Sequence, residues 1–391
     1  MKQGGWASLT LIYMYGVVSA ASLTKAIPLQ ARISGLPGAS PALFGLFISL
    51  MAVLPAIFGT ASGALIDRLG ARPALILAAL IGALVNGLYL VADSFLPFQV
   101  IRVLEGAVPL LVYAAAPALM IAISAPQNRA AAMALWSSYT PVGTSLGLLI
   151  SAAFAAGAQW RFAYLTHGGI FVLLAILGLA LPKAPVAGAA PAGSRRSILG
   201  LLKSPEGIAP LRLATSFGIL ILLGLGVSVV MPPYLSRHYG ITISAASGIM
   251  AAINVVMILG SMISGVILTR GVRPATVFIA LAVVGCIAGL GVFAPWTRMG
   301  LTLGSLLVWL ICTGAAMAVL ASLLPKVAGP EHRASTAGLL SQTGALTTFI
   351  TSPLWLAVLA LNQWLALLAI ILVGWGVSTM LLPVQARTTS R

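Results

Sequence analysis

Apolar stretches of about twenty residues recur along the whole chain, broken by short polar or Pro/Gly-rich turns, and each is long enough to cross a hydrocarbon layer of about 30 Å as a helix. Reading from break to break predicts twelve helices, over 6–33, 41–66, 74–92, 98–124, 131–157 and 162–181, then 209–236, 243–268, 275–293, 299–323, 334–360 and 364–383. Between the sixth and seventh lies Pro182–Gly207, "PKAPVAGAAPAGSRRSILGLLKSPEG", whose Pro, Ala, Gly, Ser and basic residues have the composition of a linker. The expected fold class is therefore an all-α membrane protein of two six-helix bundles, residues 1–181 and 209–391, joined by a cytoplasmic linker over 182–208.

The two halves echo each other. "PQNRA" at Pro126–Ala130 returns as "PEHRA" at Pro330–Ala334, and Gln159–Trp160 returns as Gln363–Trp364, both at an offset of 204 residues. "GALIDRLGARPA" at Gly63–Ala74 has a shorter echo, "GVILTRGVRPA", at Gly265–Ala275. Each match falls at the equivalent loop of its half, which reads as a tandem duplication in parallel topology. In that arrangement a substrate site sits near the bilayer midplane, between two halves that rock about it.

Composition agrees: 60% of residues are hydrophobic, 7% are charged and the mean hydropathy is +1.10. The net charge of +16 at first suggests a nucleic-acid partner, but the topology assigns it elsewhere. With both termini cytoplasmic, the segments on that side hold fifteen of the 21 basic residues, among them Arg68, Arg72, Arg129 and Arg333. The opposite side holds four, Arg32, Arg161, Arg237 and Arg298, which is the positive-inside asymmetry of a multi-pass protein of the plasma membrane, the inner membrane if bacterial. Neither nucleic acid nor a cofactor is needed. Cys286 and Cys312 fall in apolar segments and indicate neither a disulfide nor a metal site. The run after "MKQGG" is too long for a signal-peptide core, so the first helix is expected to be retained.

"GALIDRLGARPAL" resembles the loop between helices two and three of the major facilitator superfamily, G-x-L-a-D-r-x-G-r-k, through Gly63, Leu65, Asp67, Arg68, Gly70 and Arg72. Ala71 replaces a usual basic residue. Gly63 permits close helix contact, Gly70 a tight turn, and the Asp67 carboxylate suits a neighbouring helix N-terminus. The resemblance implies that this cluster latches the cytoplasmic side; the plainer reading is a positive-inside loop with one stray acid. "RVLEG" matches a second pattern of the superfamily, R-x-x-q-G in the fourth helix, through Arg102 and Gly106, with Glu105 where glutamine is common.

Arg102 and Glu105 would lie about 6 Å and about 10 Å into that helix, on one face. Ionisable groups at such depth usually face a cavity or a partner. Two readings stay open: a proton site at Glu105 coupled to Arg102, or a permanent ion pair that orients the helix. Lys25, in "SLTKAIPLQAR", is the other charge inside a helix. It is expected to snorkel to the surface, or else to face a central cavity with Arg102 and favour an anion.

Gly143-x-Ser145-x-Gly147 spells a serine-nucleophile motif, but no strand precedes it, and His167 would sit about 10 Å from Ser145 along the membrane normal. A small-residue packing face is the expected role. This helix lacks the G-P-x-x-G-G ending of drug/proton antiporters. "MALWSSYTPVGTSLG" is faintly similar to the cyanate and nitroimidazole carriers, whose Leu-Arg pair in helix one is absent here. Other mid-helix candidates for solute contact are Tyr113, Trp136, Tyr139, Asn254, Trp309 and Gln342. Together these readings predict a secondary active transporter working by alternating access as a monomer in the lipid bilayer. It would move a small organic solute, an organic anion favoured, with protons as the coupling ion. A drug or metabolite:proton antiporter is the alternative, and an intramembrane serine hydrolase a remote one.

Overall fold

The computed structural model describes residues 5–182, 207–327 and 333–383, and all twelve expected spans are helical. Eight helices among the described residues are long and apolar enough to cross a membrane, and three shorter apolar helices cover Leu43–Gly59, Phe162–Gly178 and Trp364–Met380. Leu80, Leu84, Val91, Leu96, Val100 and Leu104 are exposed large apolar side chains on the third and fourth spans. That is the surface a bilayer covers and water would not.

Several spans are broken where the sequence pattern is continuous. The first runs over Trp6–Thr24, turns through a 3-10 segment at Ile27–Leu29, and ends as Gln30–Ser34. Pro28 explains the break, because it has no N–H to continue the ladder. The second combines Pro41–Ser49, a 3-10 turn at Leu50–Ala52 and Val53–Leu69. The fourth is Phe95–Glu105 and Ala107–Ile123, hinged at Gly106. The fifth divides at Ser138 into Arg129–Ser137 and Tyr139–Ala152, so it stops five residues short of the predicted end. The third, Ala71–Val91, starts three residues early, since Pro73 in a first turn removes no hydrogen bond that the helix could use. The eighth is split into Ile243–Asn254 and Met257–Thr269.

The chain divides into two compact units. One comprises Met1–Ala189 with Val227–Val255 and Phe349–Ala360; the other comprises Ala190–Gly226 with Val256–Thr348 and Leu361–Arg391. In the first, span one lies along span five, and span three lies between spans four and six, around a core that includes Ile12, Val18, Leu75, Val112 and Phe171. In the second, the ninth span, Pro274–Phe293, packs on the tenth, Met299–Val327, and on Trp364–Met380.

Close approach, rather than side-chain bulk, sets two of these contacts. A Cβ on Gly143 would collide with Val17 O, and one on Gly147 with Ala21 O, so "GTSLG" is the face by which span five meets span one. Gly106 lies against Met51 O. That carbonyl cannot receive the helical hydrogen bond from position 55, because residue 55 is proline.

Candidate functional site

The hinges of spans one, two and four enclose a cluster of charges. Lys25 caps the helix Trp6–Thr24 at its break, and Glu105 ends the helix Phe95–Glu105 just before Gly106. Their side chains meet: Lys25 Nζ lies 2.6 Å from Glu105 Oε1, and Arg102 Nη1 donates to Glu105 Oε2 at 2.8 Å. All three side chains are 1% exposed or less. The spacing of three residues puts Arg102 and Glu105 on one helix face, as expected. The arrival of Lys25 from another span was not.

The surrounding shell is polar and complete on the lysine side. Lys25 Nζ donates to Asn86 Oδ1 at 2.6 Å and contacts His167 Nδ1 at 3.1 Å. The other ring nitrogen, His167 Nε2, is 3.0 Å from Val18 O. Because a carbonyl only accepts, Nε2 carries the ring hydrogen, and Nδ1 offers its lone pair to the ammonium. Asn86 is itself oriented by Nδ2 donating to Gly82 O at 2.7 Å. Tyr89 Oη donates to Glu105 Oε2 at 3.2 Å, and Arg102 Nη2 to Ile48 O at 3.2 Å, beside the turn of span two. The ammonium also lies 5.4 Å from the Tyr89 ring centre and 5.0 Å from that of Tyr164, within cation–π range.

Lys25 therefore neither snorkels nor lines an open vestibule. Snorkelling fails because Pro28 turns the chain just after Lys25, and a carboxylate within reach stabilises the ammonium more locally than distant water could. Asn86, Tyr89, Tyr164 and His167 were absent from the sequence-based candidates as members of this cluster. Their signal was a polar group in an apolar run, as in "LVNGLYL" and "AYLTHGGIF".

The remaining candidates fall into separate places. Tyr113, Trp136 and Tyr139 come together: the Trp136 and Tyr139 rings stack with centres 4.4 Å apart, and Tyr113 lies 4.9 Å from Tyr139. Gly16 makes room beneath Trp136, and Tyr13 Oη is 3.1 Å from Ser138 Oγ. Trp136 is buried, while Tyr113 and Tyr139 keep part of their surface open. Asn254 is buried at the break of the eighth span, accepting from Ser228 Oγ at 3.0 Å and donating to Thr144 Oγ1 at 3.1 Å. Trp309 is fully buried and Gln342 half-buried, both in the second unit.

The expected latch is described in part, since the surroundings of Gly63 and the side chain of Asp67 lie outside what is described. Arg68 is exposed in the last turn of its helix. Gly70 makes the turn with φ 87°, a left-handed value that favours glycine. Arg72 donates to Gly178 O at 3.3 Å and Leu179 O at 2.5 Å, a cation on the unfilled carbonyls at the end of span six.

The serine motif carries no nucleophile. Ser145 Oγ donates to Pro141 O at 2.8 Å, and both nitrogens of His167 are engaged by Lys25 and Val18.

Counting 204 positions along the sequence from Lys25, Arg102, Glu105 and His167 reaches Val229, Leu306, Trp309 and Ile371. All four are fully buried.

The chain is similar in structure to a bacterial homologue of the human lysosomal transporter Spinster, solved in an inward-facing and unoccupied conformation. The TM-score is 0.73 at 15% identity, covering 98% of each chain. The same kind of homologue in an inward-facing and occupied conformation also gives 0.73, at 14% identity, covering 97% of this chain and 96% of the other. No curated protein matches in sequence. Residues 7–352 match the Major Facilitator Superfamily as a sequence family. With that match over most of its length and the fold to go with it, the chain belongs to the Major Facilitator Superfamily and is a membrane transporter rather than an enzyme.

Proposed function

We propose that this transporter moves a small organic solute, an organic anion by preference, and draws on the proton gradient to do so. The observation that carries the reading is the position of Glu105: a carboxylate in the membrane interior, held between cations from two different spans. Buried ion pairs bridging separate helices are costly to form and change their energy sharply when one partner gains or loses a proton, which suits them to coupling. The surplus of positive charge in the cluster favours a negatively charged solute over a cation. The Trp136–Tyr139–Tyr113 stack, with its partly open surface, is assigned to the apolar body of that solute, and Asn254 to its polar groups. Both termini are placed in the cytoplasm of a cell whose plasma membrane holds the protein as a monomer of two rocking halves.

Purified protein in proteoliposomes, under imposed pH and voltage gradients, tests the reading. Solute uptake should be accompanied by proton movement in wild type, and Glu105→Gln should lose it. Coupled transport surviving in Glu105→Gln would refute the assignment.

A further inference from the structure

We infer that Lys25, rather than Glu105, is the group that gives up and takes back the transported proton, so that a proton and an anionic solute travel together. This rests on the proton-coupled reading above and names the atom that reading leaves open.

The argument begins with a charge count. Lys25 and Arg102 are cations and Glu105 an anion, which leaves the cluster one positive charge in excess, all of it buried. The groups facing it do not change the sum. They are Ile48 O from span two, Asn86 and Tyr89 from span three, and Tyr164 and His167 from span six. The tyrosines are phenols, and the His167 ring is neutral because Nε2–H serves Val18 O while Nδ1 accepts from Lys25. A second ring proton would set a cation 3.1 Å from the ammonium.

Two single-proton changes are then available. Adding a proton to Glu105 raises the excess from one charge to two and weakens its contacts with Lys25, Arg102 and Tyr89. Removing a proton from Lys25 lowers the excess to zero. In a low-dielectric interior the second change gives up the attraction to Glu105 but removes the buried net charge, whereas the first enlarges that charge. Arg102 does not release a proton in proteins, whereas a buried lysine does so readily.

The geometry also accommodates the neutral amine. Release breaks one Nζ–H bond, the electron pair stays on nitrogen, and the proton passes to water on the side to which the carrier is open. The two remaining N–H groups suffice for Asn86 Oδ1 and Glu105 Oε1, each at 2.6 Å. The contact given up is the longest, the one to His167 at 3.1 Å, which ties span one to span six. Protonated, the cluster attracts an anion; deprotonated, it is neutral and does not. One proton therefore accompanies one negative charge, and transport of a monoanion moves no net charge.

The test reads the lysine nitrogen directly. The chain has five lysines, so [15N]lysine-labelled protein in detergent gives few signals and Lys25→Arg identifies the one sought. Should Lys25→Arg fail to fold, Lys25→Met serves for the same assignment. The expected result is a Lys25 signal that passes from ammonium to amine as the pH is raised, while the other lysines remain ammonium. A Lys25 signal still ammonium at about pH 10, or a Glu105 carboxyl signal that takes up a proton in the neutral range, overturns the inference. The two readings fail separately. Solute-linked proton flux in wild-type proteoliposomes with a permanently charged Lys25 overturns this inference alone. A Lys25 that exchanges its proton without any such flux overturns the coupled-transport reading.

Discussion

Glu105→Gln and Lys25→Met remove the two ends of the same ion pair, yet the cluster predicts very different costs for them. At a pH low enough to keep Lys25 protonated, glutamine at 105 keeps the shape but leaves two buried cations, Lys25 and Arg102, without a counter-ion, and the excess rises from one charge to two. Breaking a buried pair by removing one partner costs about 3–5 kcal/mol. At the specific unfolding entropy of a compact domain this is a loss on the order of 6–10 °C in Tm. Methionine at 25 keeps the packing volume and leaves the Arg102–Glu105 pair balanced. Its cost is the unmet acceptors on Asn86, His167 and Glu105 Oε1, about 1–3 kcal/mol. Tryptophan fluorescence during thermal unfolding in detergent, with eight tryptophans as reporters, measures all variants. The double variant should be more stable than the sum of the singles predicts by about 1–3 kcal/mol, because Lys25→Met removes one of the cations that Glu105→Gln stranded. Equal losses for the two singles, or strict additivity in the double, would refute the charge count.

Three further outcomes follow from contacts elsewhere. Gly106→Ala should cost about 1–3 kcal/mol by the same assay, since its Cβ has no room beside Met51 O; an unchanged Tm would show that the hinge relaxes freely. Asn254→Ala should destabilise by about 1 kcal/mol, and a cycle with Thr144→Val should be non-additive, because each removes the other's partner. Ser145→Ala should leave solute uptake at wild-type level, and a serine-directed phosphonate should label neither protein; labelling of wild type alone would revive the nucleophile.

Much of the architecture was legible because a span must be continuously apolar to cross a bilayer, and loops must not be. The hinges were harder to read. Pro28 and Gly106 sit inside spans whose apolar residues continue on both sides, so a pattern of apolar positions reads straight through them. The Arg102–Glu105 pair was visible because three residues along a helix return to one face. Lys25 lies eighty positions earlier, and only the packing of span one against its neighbours brings it to the carboxylate. His167 carries the same lesson. In sequence it stands only as a partner for Ser145 at the wrong depth, whereas its place beside Lys25 depends on how span six approaches span one.

The duplication supplies its own comparison. At a sequence offset of 204 from Lys25, Arg102, Glu105 and His167 stand Val229, Leu306, Trp309 and Ile371, all apolar or aromatic and all buried. A buried ion carries a desolvation cost that a buried hydrocarbon does not. A first half with those apolar residues in place of Lys25, Arg102, Glu105 and His167 is therefore the inert scaffold against which to measure what the ions do.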